Sequence, residues 1–237
     1  MHRWYIYVIF IALIFAPALV EHFVYAQGET DLLPIAKLLV HFGLPVLFTM
    51  LFLERSVRAV AVDPVRPWPG HPTRRELFVA GGVGLLAVIV IVGAYFALGR
   101  LVDVAGIAGD LTEQGISREI YMYVAIWLAF INPFMEEYFW RGFVFHRAYQ
   151  FASGTFAKHV ALWGTGFLFA LHHTIIIQPW FSWWQFGLVT IFLAGAGVVL
   201  NLLYLRSGSI LPPLIVHTCA DLALAFLGFV VFGYVAV

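Results

Sequence analysis

Residues 77–98 read LFVAGGVGLLAVIVIVGAYFAL, with no charged side chain and no proline, and the length of this run decides the fold. A helix rises about 1.5 Å per residue, so about 20 apolar residues cross a hydrocarbon core ~30 Å thick. Inside that core each backbone N–H and C=O must find its partner within the segment, which a helix provides. Working outward, similar stretches run approximately Trp4–Val20, Leu33–Leu53, Ile120–Phe145, Phe156–Ile177, Trp184–Leu205 and Ile210–Val235. The sequence therefore predicts an all-α, polytopic transmembrane helix bundle of about seven spans, with residues 1–237 forming a single membrane domain.

Composition agrees. Of the 237 residues 62% are apolar and only 11% charged, against roughly a quarter charged in a soluble domain. Mean hydropathy is +0.93. Lys plus Arg and Asp plus Glu number 13 each, so no basic excess points to nucleic acid and no acidic excess to a cationic partner; the partner implied first is membrane lipid. A single cysteine, Cys219, excludes an intrachain disulfide framework and any CxxC site. Arg3, the apolar run after it and Ala16-Pro17-Ala18 also fit a signal peptide, but the run is long enough to span, and an uncleaved helix is expected.

Between the second and third spans lies the one clearly aqueous stretch, Glu54 to Glu76, with Arg55, Arg58, Arg66, Arg74 and Arg75 among Pro64, Pro67, Pro69 and Pro72. With a cytoplasmic N-terminus these arginines, Arg3, Arg147, Lys158 and Arg206 all fall inside, and only Arg100 and Arg118 outside. The positive-inside rule thus expects the N-terminus in the cytoplasm and the C-terminus across the membrane. Trp4, Tyr5, Trp180, Trp183, Trp184 and Tyr204 near span ends suit interfacial belts. Short loops and no organelle signal suggest a prokaryotic plasma membrane.

Ionisable groups inside spans cost at least ~2.5 kcal/mol each at a helix centre, so they mark function. The fourth span carries Glu136, Glu137 and Arg141 in PFMEEYFWRGFVF; in the fifth, His172 and His173 close FLFALHH; the seventh holds His217 and Asp221. Lys37 and His41 lie nearer a helix end and, with His172, read as structural or interfacial. Glu137 and Arg141 are four apart and can pair, which lowers the cost of burying both. Glu136 then points about 100° away from that face. His217 and Asp221 are also four apart and can enter one cavity, in a helix opened by Pro212 and Pro213. Pro133 should kink the fourth span and admit water beside the carboxylates. Cys219, two residues from His217, is expected to pack, and Gly195 and Gly197 to let helices approach closely.

A carboxylate and an imidazole around a water make a competent general base, for which Glu136 and His173 are the candidates. An imidazole beside a carboxyl on another helix can hold a developing oxyanion, the demand of amide hydrolysis, and His217 with Asp221 suits that part. Arg141 and Glu137 would support the site. No His-Glu-x-x-His or inverted His-x-x-Glu-His is present, so a site without metal or other cofactor is expected; a metal-dependent version would use Glu136, His173, His217 and Asp221.

Glu136-Glu137-x-x-x-Arg141, Phe169-x-x-x-His173 and His217-x-x-x-Asp221, in this order on three spans, resemble the motifs of the CAAX-processing and bacteriocin-processing intramembrane endopeptidases, the CPBP or Abi family. RSGSILPPLIVHTCADL, residues 206–222, is similar to that family's last motif. The likeness covers roughly residues 120–222. It implies a glutamate-dependent intramembrane protease acting on a membrane-associated peptide, with Glu136 and His173 activating water, His217 and Asp221 holding the oxyanion, and the site between the fourth, fifth and seventh spans. His173 rather than His172 aligns with the motif. Two other readings stay open: a non-catalytic immunity or scaffold protein of the same fold, and a small transporter with a proton relay. Against the second, no internal repeat is visible.

Overall fold

The structure, a computed structural model, describes residues 11–17, 19–20, 33–48, 71–113 and 115–233. Among these residues every regular element is a helix. We label α1 the run over residues 33–48, α2 Arg74–Leu98, α3 Val104–Glu113, α4 the run over residues 118–151, α5 Gly154–Ile177, α6 Trp183–Ser207 and α7 Leu211–Val231. Residues 11–17 and 19–20 are also helical. Most of the first expected span and the basic loop up to residue 70 lie outside the described residues.

Among the described residues four stretches are long and apolar enough to cross a bilayer: Arg74–Leu101, Gly154–Trp180, Trp183–Ser207 and Leu211–Val231. The sequence predicts about seven; the first expected span lies mostly outside the described residues, and the second and fourth correspond to α1, described only to residue 48, and to α4. Both change winding along their length. Helix α1 passes from α over Leu33–Leu38 to π over Leu39–Gly43 and back to α over Leu44–Phe48, and α4 is π over Trp127–Ile131 and again over Tyr138–Phe145. A π-turn fits one extra residue into a helix, and such turns gather at functional sites. In α4 the first precedes Pro133, whose ring denies its turn a donor, and the second follows Glu137 directly.

The helix ends follow local chemistry. Thr73 caps α2: its Oγ1 accepts from Glu76 N at 3.3 Å and Glu76 Oε2 accepts from Thr73 N at 2.7 Å. Ser117 begins α4, and its hydroxyl together with the Glu119 backbone N–H holds the Glu119 carboxyl below its ordinary value. Helix α6 stops at Gly208, whose φ of +63° a Cβ would disfavour, and Gly208 N donates to Tyr204 O at 2.8 Å. Pro212 and Pro213 then sit in the first turn of α7, as expected.

Lipid tails are as apolar as leucine, so close packing and buried hydrogen bonds must join the helices. Helices α5 and α6 touch at Gly166 and Gly197, where a Cβ on Gly197 would lie 2.8 Å from Gly166 O. Gly195 has no neighbour within 4 Å of such a Cβ, so of the two expected packing glycines only Gly197 is at this contact. Asn201 Nδ2 donates to Thr165 Oγ1 at 2.9 Å and Leu162 O at 3.0 Å, tying the same pair further along. Helix α7 packs on α2, where Cys219 fills the space beside Gly84, and on α4, where Tyr121 Oη donates to Ala225 O at 3.0 Å. Tyr204, expected at an interface, is instead buried, with its hydroxyl 2.9 Å from His146 Nδ1. Helix α3 falls where no element was expected; its Trp180 partner, at the end of α5, donates Nε1–H to Asp110 at 2.9 Å.

Candidate functional site

The polar residues of α1, α4, α5 and α7 converge on one point inside the bundle, around a core that includes Phe139, Trp140, Phe143, Phe169 and Val216. Glu136 and Glu137 head away from each other because they are consecutive on a helix, yet both are buried, since helices stand on either side.

Glu137 faces the closed side. Its Oε1 accepts from Arg141 Nη1 at 2.8 Å and from His217 Nδ1 at 2.7 Å. Arg141 also reaches Gly197 O at 3.4 Å, and its guanidinium lies 4.2 Å over the ring of Phe169, so the glycine that lets α5 and α6 meet also exposes a carbonyl to the arginine. The Glu137–Arg141 pair expected from the spacing is present. That His217 shares its oxygen was not anticipated, because nothing in the sequence fixes the rotation of α7 against α4.

Glu136 faces the imidazoles. His173 Nε2 lies 3.0 Å from Glu136 Oε2, His217 Nε2 3.9 Å from the same oxygen, and His172 Nε2 4.0 Å from Oε1. The 3.0 Å contact is an electrostatic approach without hydrogen-bond alignment. His173 Nδ1 stands 2.8 Å from the carbonyl oxygen of Phe169, which only accepts, so Nδ1 carries a proton and Nε2 faces Glu136. Asp221 Oδ1 lies 3.8 Å from His217 Nε2. The His173 side chain is 27% exposed and that of Asp221 14%, against 2% for Glu136, so the cluster opens at the α5–α7 rim.

Two further residues meet Glu136. Asn132, one turn earlier on α4, donates Nδ2–H to Glu136 Oε1 at 2.9 Å, and Lys37 on α1 donates to Asn132 Oδ1 at 2.7 Å while lying 3.5 Å from Glu136 Oε1. Lys37 and His41 are buried here rather than placed at an interface, and the His41 and His172 rings stack edge to face at 5.5 Å. An asparagine four residues before a glutamate on a buried helix was the available signal; distance along the chain hid the lysine.

Among the described residues two donor sets could hold a metal ion: Glu136 with His173 and His217, and Glu136 with His41 and His172. The second shares its carboxylate oxygen region with the Lys37 ammonium, which repels a divalent cation. The first fits better, and Asp221 is not part of it.

Residues 118–223 match the family described as Type II CAAX prenyl endopeptidase Rce1-like. Over that stretch, a little under half of the chain, the sequence is similar to that family. The matched stretch coincides with the residues 120–222 on which the resemblance was read, and it contains both glutamates, Arg141, His173, His217 and Asp221 but not Lys37. No curated protein and no solved structure matches the chain. With its long apolar helices the chain is an integral membrane protein, similar to that family over these residues.

Proposed function

We propose that the protein is an intramembrane endopeptidase that hydrolyses a peptide bond of a membrane-associated substrate at Glu136. The supporting observation is the approach of His173 Nε2 to Glu136 Oε2, 3.0 Å apart at the open rim of an otherwise buried cluster. A water at the rim would donate one hydrogen to Glu136 Oε2, with His173 beside it, and turn a lone pair towards a substrate carbonyl. As the water oxygen bonds to the carbonyl carbon, Glu136 takes its proton and the carbonyl electrons collect on oxygen. His217, held at Nδ1 by Glu137, turns Nε2 towards the same centre, and Glu137 and Asp221 together provide the charge an imidazolium there needs. Its Nε2–H would hold the oxyanion. The proton on Glu136 then passes to the amide nitrogen as the C–N bond breaks, leaving a carboxylic acid and an amine.

A metal bound by Glu136, His173 and His217 would supply Lewis-acid polarisation of the same carbonyl. Cleavage of a quenched, membrane-anchored peptide library by purified protein tests both versions, with wild type and Glu136→Ala each assayed with and without a strong chelator. Activity lost only in Glu136→Ala supports the metal-free version. Chelator-sensitive activity moves the reading to the metal. Cleavage undiminished in Glu136→Ala sinks the assignment, and a protective phenotype that survives the substitution would favour an immunity protein.

A further inference from the structure

A carboxylate that must take a proton from water needs one oxygen free and its charge stabilised, yet must not be smothered by a counter-ion. Glu136 has two oxygens in unlike settings. Oε1 accepts from Asn132 at 2.9 Å and has Lys37 Nζ at 3.5 Å; Oε2 faces His173 and His217. The amide of Asn132 can be oriented only one way. Its Oδ1 must meet the ammonium, which only donates, and its Nδ2 the carboxylate, which only accepts. The chain Lys37 to Asn132 to Glu136 is thus polarised in one direction, with an amide between the ammonium and the carboxylate.

We propose that Lys37 is a positioning residue of the hydrolytic site, which through Asn132 fixes Glu136 Oε1 and leaves Oε2 to meet water. This rests on the endopeptidase reading above. The lysine sits on α1, outside the matched residues 118–223, so the site is completed by a helix that carries none of the recognised motifs. The spacer has a chemical reason. Lys37 Nζ also contacts Glu136 Oε1 directly, but at 3.5 Å, the long limit of a hydrogen bond, so the shorter bonds through the amide set the carboxylate rotation and keep the ammonium from closing fully on the base. The π-turn of α1 begins two residues beyond Lys37 and the first π-turn of α4 ends just before Asn132, so both irregular helices present their polar residue beside a change of winding.

The test uses full-length protein in proteoliposomes, with the peptide library of the preceding experiment, comparing wild type, Lys37→Met, Lys37→Arg, Asn132→Leu and Glu136→Ala. Lys37→Met keeps the length and loses charge and donor; it is expected to lower kcat about 100-fold with KM within about threefold, the size of effect that misplaced catalytic groups show. Lys37→Arg, retaining charge and donor, should recover at least about tenfold of that loss. Asn132→Leu, of similar volume, serves as the second variant if Lys37→Met fails to fold, and should also lower kcat while sparing KM. Lys37→Met cleaving like wild type while Glu136→Ala is inactive would overturn the role of Lys37 and leave the protease reading standing. A change confined to KM or to thermal unfolding also overturns it, since that is what a packing residue does. Glu136→Ala cleaving like wild type would overturn the reading beneath.

Discussion

The two adjacent glutamates of α4 are the same residue one peptide bond apart, and their surroundings differ in two physical respects. The cation at Glu137 is Arg141, which keeps its charge at any ordinary pH, and the pair is sealed, with Arg141 and Glu137 both at 0% exposure. The cation near Glu136 is Lys37, a residue able to shed its proton, and the far side of Glu136 is open to the rim through His173. Identity of side chain therefore says little about the task. Whether the counter-ion is fixed in charge and whether water can arrive separate the two: Glu137 is sealed against an arginine, and the proposed mechanism has Glu136, at the open side, exchange a proton.

Paired isosteric substitutions are the strongest way to break that comparison. Glu137→Gln leaves Arg141 charged and buried with too few acceptors, and removing one partner of such a pair costs about 3–5 kcal/mol. Glu136→Gln leaves Lys37 bonded to Asn132 and keeps an amide oxygen within its reach, so it should abolish cleavage with thermal unfolding closer to wild type than that of Glu137→Gln. Unfolding in detergent, followed for both variants, checks the contrast. Equal destabilisation by the two would mean that the glutamates are one electrostatic unit and the division drawn above is false.

Next in size is the bridge between the halves. His217 touches Glu137 through Nδ1 and faces Glu136 and Asp221 through Nε2. His217→Ala removes the donor assigned to the oxyanion, and loss of one such donor lowers kcat by about 10²–10³. Arg141 still pairs with Glu137 in this variant, so folding should survive. Measured kcat within about tenfold of wild type would return His217 to the closed half, as a ligand of Glu137 and nothing more.

The sequence and the structure agree where helical spacing alone sets a contact. Glu137 with Arg141 is such a case, and so is the pair of prolines opening α7. Long apolar runs likewise predicted α2, α5, α6 and α7 with boundaries close to those found. What escaped reading was set by rotation between helices. That His217 would meet Glu137, and that Lys37 would lie inside the cluster instead of near an interface, depend on how α7 and α1 turn against α4. The π-turns escaped for a related reason: WLAFI and YFWRGFVF have ordinary helix composition, and only packing around them selects the wider winding. Helix α3 was hidden by its length, since a ten-residue helix without a buried side chain leaves no run to detect.

The smallest expected effect falls on Asp221, and it sharpens the comparison from the open side. Its Oδ1 is 3.8 Å from His217 Nε2, beyond hydrogen-bond reach, and its side chain is the more exposed of that pair. A carboxylate there helps only by favouring the imidazolium, and it repels an oxyanion at the same distance. An amide in its place would give up the first effect and remove the second, while adding a donor of its own. The two changes oppose each other, so Asp221→Asn should keep kcat within about tenfold of wild type, well short of what losing an oxyanion donor costs. A loss as large as that of His217→Ala would show that the Asp221 charge is what keeps His217 doubly protonated, and would place the aspartate, with Glu137, among the groups that hold the machinery rather than those that line its rim.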